Sequence, residues 1–163
     1  MTYYEFFGLE PRLHLDLKDL EQRFYALSRK WHPDRFARAT PAERQQSLDA
    51  AALLNDGYRT LRDPVARAQY LLDLHGIALG DQPLPPELLE EVFELNMELE
   101  EGHGDRARFT EMLEEIDSAL QQAFQQWDAT PGPERLETIR SLLHKRRYIT
   151  NLLRDAGALT HGD

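Results

Sequence analysis

The chain has 163 residues, 41% of them hydrophobic, a formal net charge of −10 and no cysteine. That apolar share is enough for a core and excludes wholesale disorder, and the missing thiols exclude disulfides, thiolate zinc sites and thiol chemistry. No apolar run is long enough to span a bilayer; the start, MTYYEFFGLE, has no basic stretch ahead of an apolar one and is not Arg- and Ser-rich, so neither a signal nor a transit peptide is expected and a cytoplasmic setting fits.

The pattern is helical nearly throughout. YYEFFG reads as a short apolar turn ending at Gly8. In LDLKDLEQRFYALSRKW, Asp16 can cap a helix whose Leu17, Leu20, Phe24, Leu27 and Trp31 recur on one face. Pro33 restricts His32 to extended geometry, so this helix should stop near Trp31. TPAE predicts a capping box, with Thr40 at the cap, Pro41 at the first helical position and Glu43 reaching back. The helix that follows carries Leu48, Ala51, Asn55, Tyr58 and Leu61. Asp63 and Pro64 start another through Tyr70 and Leu74, and Gly76 ends it.

The segment GIALGDQPLPPE is a shift to Gly and Pro, and the domain boundary is placed there. Charge changes across it: residues 1–79 hold 11 Lys and Arg against 11 Asp and Glu, a balance of zero, whereas residues 80–163 hold 8 against 18, the entire −10. Two segments of different charge suggest two units with different partners. The acidic half argues against nucleic acid, which needs a basic footprint.

Three further helices are expected: about Glu87 to Glu101, roughly Arg106 to Trp127, and about Glu134 to Asp155, with GHGD and DATPGPE as the turns. Phe109, Leu113, Ile116, Leu120, Ala123 and Trp127 form the apolar stripe of the second. Short connections between long amphipathic helices favour antiparallel packing, so this half reads as a three-helix bundle. The predicted organisation is all-α: a first domain over 1–76, a linker over 77–86, the bundle over 87–157 and a tail over 158–163.

The loop RKWHPDRF raises a functional question, because a plain turn needs no imidazole beside a rigid ring and a carboxylate. Pro33 fixes its own backbone and limits its neighbour. Asp34 can bond nearby amides. A stiff tip of this kind would hold His32 at a defined angle to the preceding helix, and preorganisation helps binding because little freedom is lost on contact. On three letters alone, Pro-Asp is equally a common turn pair.

The order YYEFFGL, amphipathic helix, HPD, long helix ending LNDGYRTLRDPVARAQY resembles a J-domain over residues 1–76. YYEFFGLEPRLHLD, WHPDRFA and LRDPVARAQYLLDLHG, followed by an acidic three-helix domain with no Gly/Phe-rich or zinc-finger segment, resemble the HscB family of J-type co-chaperones of iron–sulfur cluster assembly. The resemblance implies two partners: a DnaK/HscA-type chaperone, whose ATPase would be touched and stimulated by His32, Pro33 and Asp34, and an IscU-type scaffold held by the bundle. It implies electrostatic steering by Arg23, Arg29, Lys30 and Arg35, which otherwise are a solvated basic face. Gly57 stands where the family commonly has Ala, which should weaken that helix by about 1 kcal/mol.

Periodicity carries a second site. At about 100° per residue, Leu88, Val92, Leu95 and Leu99 form a core seam. Leu89, Phe93 and Met97 form a second apolar line, flanked by Glu90, Glu94 and Glu101, that a three-helix bundle does not need. On the last helix, Leu136, Ile139, Leu143 and Leu153 lie broadly on one side, and Tyr148 and Leu152 on the other. Adjacent surplus lines would make an exposed apolar patch with an acidic rim, as a protein-binding site has; otherwise the first domain covers them or the core stripe is simply broad. The HscB resemblance assigns Leu89, Phe93, Glu94, Glu101 and Tyr148 to scaffold binding, with Met97 on the same line. Glu90 and Met97 depart from its pattern, which would have an apolar residue at the first position and a carboxylate at the second.

An enzyme built on His32 and Asp34 lacks a paired nucleophile, a phosphate loop and a sheltered pocket. His14, His32, His75, His103, His144 and His161 are scattered with no pair at metal-ligand spacing, so no metal or cofactor is expected. The remaining alternative is a J-protein adaptor that serves another client of a general DnaK-like chaperone.

Overall fold

The computed structural model describes residues 1–80, 85–100 and 106–160. Among these residues seven α-helices follow one another: α1 Tyr3–Phe7, α2 Leu17–Lys30, α3 Pro41–Arg62, α4 Pro64–Leu74, α5 Pro86–Glu100, α6 Arg106–Ala129 and α7 Pro133–Thr160. A single 3-10 turn, Pro33–Phe36, sits between α2 and α3, and no strand occurs among the described residues. The helices fall into two compact units, Met1–Leu74 and His75–Asp163. No helix among the described residues is long and apolar enough to cross a membrane.

In the first unit, α2 and α3 pack along each other and α1 and α4 close the end of the pair. Thr2 and Glu5 make a complete capping box on α1, and Gly8 ends it with a left-handed φ of 68°. That conformation costs a residue with a Cβ, so glycine is favoured there. Asp16 caps α2 by accepting from the backbone N–H groups of Lys18 and Asp19. At α3 the Thr40 hydroxyl accepts from the Glu43 N–H at 3.2 Å; the fully reciprocal box belongs to α1, not to the TPAE segment where it was expected. Asp63 closes α3 and opens α4, its Oδ2 accepting from the Ala66 N–H at 2.9 Å.

The core of this unit is Tyr4, Phe7, Leu13, Leu20, Leu54, Leu61, Ala68, Leu71 and Leu72. Two sequence expectations need correction. On α3 the buried positions are Ser47, Ala50, Leu54, Gly57 and Leu61, while Leu48 is exposed, so the inward face is rotated from the predicted one. Two of those positions are Ser and Gly, which hydropathy does not mark. Ser47 is inward because its hydroxyl donates to the Trp31 carbonyl at 3.0 Å. Gly57 is inward because the aromatic rings of α1 lie on it: a Cβ there would stand 3.0 Å from Phe7 Cε2 and 3.1 Å from Tyr3 Cδ1. On α2, Leu17 occupies the first helical position and is exposed, in a shallow groove with Tyr58 and Arg62.

Arg67 is the least expected core residue, at 5% exposure. Its Nε donates to the Leu13 carbonyl at 2.8 Å and an Nη to the Leu61 carbonyl at 2.6 Å. A buried charge requires such partners, and the Leu61 carbonyl is one of the last-turn acceptors that a helix cannot satisfy itself. Tyr70 links α4 to α1: its ring stacks on Tyr3 at 4.5 Å and its hydroxyl accepts the Tyr3 N–H at 2.9 Å. Burial raises the Tyr70 phenol above its ordinary pKa, with the Tyr3 hydrogen bond acting the other way.

In the second unit α6 and α7 form the main pair, pinned by an ion pair from Arg146 Nε to Asp117 Oδ1 at 2.8 Å, and α5 lies against α7. Phe109, Ile116, Leu120, Ala123, Phe124 and Trp127 are buried on α6, and Leu136, Ile139, Leu143 and Ile149 on α7. Leu113 is only half-buried, and Phe124 and Ile149 are core residues that the predicted stripes did not contain. The last helix runs to Thr160, through three of the residues assigned to a tail; a lone glycine such as Gly157 costs about 1 kcal/mol in a helix without ending it. The turn GHGD and part of the linker lie outside the described residues.

Candidate functional site

The loop after α2 is built by local chemistry. Trp31 closes the helix, its N–H donating to the Leu27 carbonyl at 2.9 Å. His32 is then extended, with φ −61° and ψ 133°, as a residue before proline must be. Pro33 starts the 3-10 turn, in which the Arg35 N–H donates to the His32 carbonyl at 3.0 Å. Two contacts stiffen the tip. The rings of Trp31 and Phe36 stack across the loop, 5.8 Å apart and 9° from parallel. The Asp34 backbone N–H donates to Nδ1 of His32 at 3.2 Å.

This last bond reverses the expected division of labour. The sequence suggested that the Asp34 carboxylate would bind backbone amides; instead the imidazole holds the turn, and the carboxylate stands 93% exposed with Oδ2 at 3.6 Å from Nδ1. Because Nδ1 accepts, the neutral ring carries its proton on Nε2. The His32 side chain is 56% exposed and presents that N–H outward.

The basic residues around the loop differ in their commitments. Arg29, Lys30 and Arg35 are exposed, and Lys30 Nζ lies 5.5 Å over the Trp31 ring. Arg23 is bound into the fold. Its Nε donates to Asp19 Oδ2 at 2.8 Å, and an Nη donates to the carbonyls of Phe7 at 3.0 Å and Gly8 at 3.2 Å. It thus satisfies the C-terminal carbonyls of α1, a role that its place in a basic helix did not reveal.

The second unit carries an apolar surface. Leu88, Val92 and Leu95 are buried on α5, while Leu89, Phe93 and Met97 are exposed, Phe93 at 64%. Tyr148 of α7 is exposed at 37%. Leu89, Phe93 and Tyr148 line one shallow pocket with Glu90, Val92, Asn96 and Leu152. Leu152 has two roles: it lines this pocket and also packs against Leu88 and Val92. Glu94 is exposed beside Phe93, and Glu101 lies outside the described residues. Asn96 and Val92 were not foreseen as lining residues; both fall on the α7 side of Phe93 by helical spacing, the signal that could have found them.

Two regions match known family models: residues 2–70 the DnaJ domain, and residues 84–157 the HSCB C-terminal oligomerisation domain. The solved structure of the chaperone HscB from Vibrio cholerae is 30% identical, with a TM-score of 0.67, and the match covers 98% of this chain and 98% of that one. The chain belongs to the HscB family. The human co-chaperone protein HscB is 26% identical, with a TM-score of 0.72 over 99% of this chain and 83% of that one.

As an HscB-family J-protein, a co-chaperone of iron–sulfur cluster assembly, the chain pairs the two features just described with the two matched regions. The stiff His32–Pro33–Asp34 tip lies in the DnaJ match, and the pocket around Phe93 and Tyr148 lies in the C-terminal match. Among the described residues no group of three His, Asp or Glu is placed to hold a metal ion.

Proposed function

We propose that the chain stimulates the ATPase of a DnaK/HscA-type chaperone through its first unit and delivers an IscU-type iron–sulfur scaffold to it through its second, without catalysis of its own. The observation that carries the first half is the His32 tip: exposed, and held rigid by bonds that no core requires. In this reading His32, Pro33 and Asp34 contact the ATPase, and Arg29, Lys30 and Arg35 steer the encounter through the field of exposed charges. Arg23, hydrogen-bonded to the α1 carbonyls but with its side chain 40% exposed, adds its charge to the same field.

The second half is supported by the exposed apolar line Leu89, Phe93 and Met97 beside Tyr148, with Glu94 exposed next to Phe93. Solvent-exposed aromatic side chains beside a shallow pocket are characteristic anchors of an interface. Carrying both sites on one chain makes the second encounter intramolecular, which raises the effective concentration of scaffold at the chaperone. The absence of cysteine fits a reducing cytoplasm.

The deciding experiment is a steady-state ATPase assay of the chaperone with and without scaffold, using the native chain and His32→Gln. Stimulation that needs His32 and rises further with scaffold supports both halves. Stimulation indifferent to His32 removes the first, and a scaffold that adds nothing removes the second. The C-terminal match to an oligomerisation domain favours one other use of the patch, self-association; sedimentation of the native chain against Phe93→Ala separates it from scaffold binding.

A further inference from the structure

Between α2 and the 3-10 turn the backbone keeps little freedom. Pro33 fixes its own φ and holds His32 extended. Trp31, at φ −105° and ψ 16°, is the residue at which the chain leaves the helix. Rotation about its ψ swings the Trp31 carbonyl and the whole tip together, because both lie beyond the same Cα–C bond and the peptide that follows is planar. That one torsion aims His32.

The Trp31 carbonyl is where α3 takes hold. The Ser47 hydroxyl donates to it at 3.0 Å, from a side chain only 2% exposed. A serine inside a helix commonly faces water or bonds a carbonyl of its own preceding turn; Ser47 reaches across to α2 instead. It meets the last of the carbonyls that α2 cannot satisfy itself, the one directly before the tip. The Trp31 ring is held as well, stacked on Phe36 across the loop at 5.8 Å. His32 is thus aimed by a neighbour fixed at both its carbonyl and its ring.

We propose that Ser47 is a positioning residue for His32: by holding the Trp31 carbonyl it sets the torsion that directs the imidazole toward its partner. A tip pre-set in this way loses less freedom on contact. The inference rests on the reading that the His32 tip meets the chaperone ATPase, and extends it inward to a buried residue that the partner does not touch. A hydroxyl that served stability alone would leave the direction of the ring unchanged when removed.

The test compares the full-length native chain with Ser47→Ala, Ser47→Thr and Ala68→Gly, each below its melting temperature. Ala68 is fully buried on α4, so Ala68→Gly loosens the same unit from another helix. Maximal ATPase stimulation is expected to fall about fivefold in Ser47→Ala, the equilibrium worth of one ordinary hydrogen bond. The concentration for half-maximal effect should change little, because Arg29, Lys30 and Arg35 still steer the encounter. Ser47→Thr, which keeps the hydroxyl, should stimulate as the native chain does, and so should Ala68→Gly although it melts lower. A second readout needs no partner. Long-range proton–nitrogen NMR spectra at about pH 8, where imidazole is neutral, should show His32 protonated on Nε2 in the native chain and in Ser47→Thr, and a mixture of tautomers in Ser47→Ala. Native stimulation with a native His32 tautomer in Ser47→Ala overturns the proposal. An equal loss of stimulation in Ala68→Gly overturns it too, by making stability the whole effect. Stimulation that survives His32→Gln would instead remove the ATPase reading, and the tautomer readout would still decide whether Ser47 sets the ring.

Discussion

Nδ1 of His32 accepts the backbone N–H of Asp34 across Pro33, so the ring that a partner would meet is also the ring that holds the turn. One nitrogen is used inward and the other is presented outward. The two roles can be separated chemically, because Asn can offer an amide oxygen near the position of Nδ1 but is too short to reach that of Nε2. His32→Gln and His32→Asn are both expected to melt within about 2 °C of the native chain, since the site is exposed and an amide side chain can still cap the short turn that Nδ1 holds. Both should lose ATPase stimulation. Circular-dichroism melts and phosphate-release rates check this; stimulation retained by His32→Asn would show that only the turn matters.

Arg23 and Lys30 should behave as different kinds of residue. Arg23→Ala removes the donors to the Phe7 and Gly8 carbonyls and is expected to cost about 1–3 kcal/mol in urea unfolding. Lys30→Ala should leave stability nearly unchanged and lower the association rate to the chaperone ATPase, with the difference fading as salt rises. Stopped-flow association at two ionic strengths, beside the unfolding curves, distinguishes them.

Gly57→Ala should destabilise the chain although it raises helix propensity by about 1 kcal/mol. The new Cβ would press on two rings with little room to yield: Phe7 is buried, and Tyr3 is stacked on Tyr70. Overpacking of this kind costs about 1–3 kcal/mol. A net loss of about 1 kcal/mol in urea unfolding is the expected result, and a net gain would mean that the α1 rings move aside freely.

On α5 and α7, exposure and burial should divide two truncations cleanly. Phe93→Ala is expected to change stability by less than about 0.5 kcal/mol, because an exposed ring leaves no cavity, and to weaken scaffold binding by about 1–4 kcal/mol. Ile149→Ala, one position from Tyr148 but fully buried, should cost about 2–5 kcal/mol of stability. One melt and one titration per variant decide the matter.

Tyr70 gives an alkaline prediction. Its phenol pKa is raised by burial, so the folded state holds the proton more tightly than the unfolded state does. The stabilisation this supplies is complete below the ordinary tyrosine pKa of about 10 and is lost as pH rises through the higher folded value. Absorbance titration should show the Tyr70 phenol ionising above the ordinary tyrosine value. Tyr70→Phe should remove that late step, keep the stack on Tyr3 and cost about 1 kcal/mol through the lost hydrogen bond to the Tyr3 N–H.

Helices α2 to α7, the caps at Asp16, Thr40 and Asp63, and the stiff tip at Pro33 were legible along the chain because each depends on residues within four positions of one another. The apolar lines on α5 were legible for the same reason: the α-helix repeat converts spacing into faces, and Leu89, Phe93 and Met97 stand apart from Leu88, Val92 and Leu95 without reference to any other segment. What depended on distant parts of the chain was not legible. The face that α3 buries was set by the rings of α1 and the carbonyl of Trp31, which admit Gly57 and Ser47 and exclude the more apolar Leu48. Arg23 read as part of a basic face until the carbonyls of Phe7 and Gly8 were brought within 3.0–3.2 Å of it, and no local pattern marked Arg67 for the core, where the carbonyls of Leu13 and Leu61 meet it at 2.8 and 2.6 Å. Only tertiary packing placed Tyr148 beside Phe93 and left both exposed, because exposure is a property of which neighbours arrive, and periodicity within one helix says nothing about them.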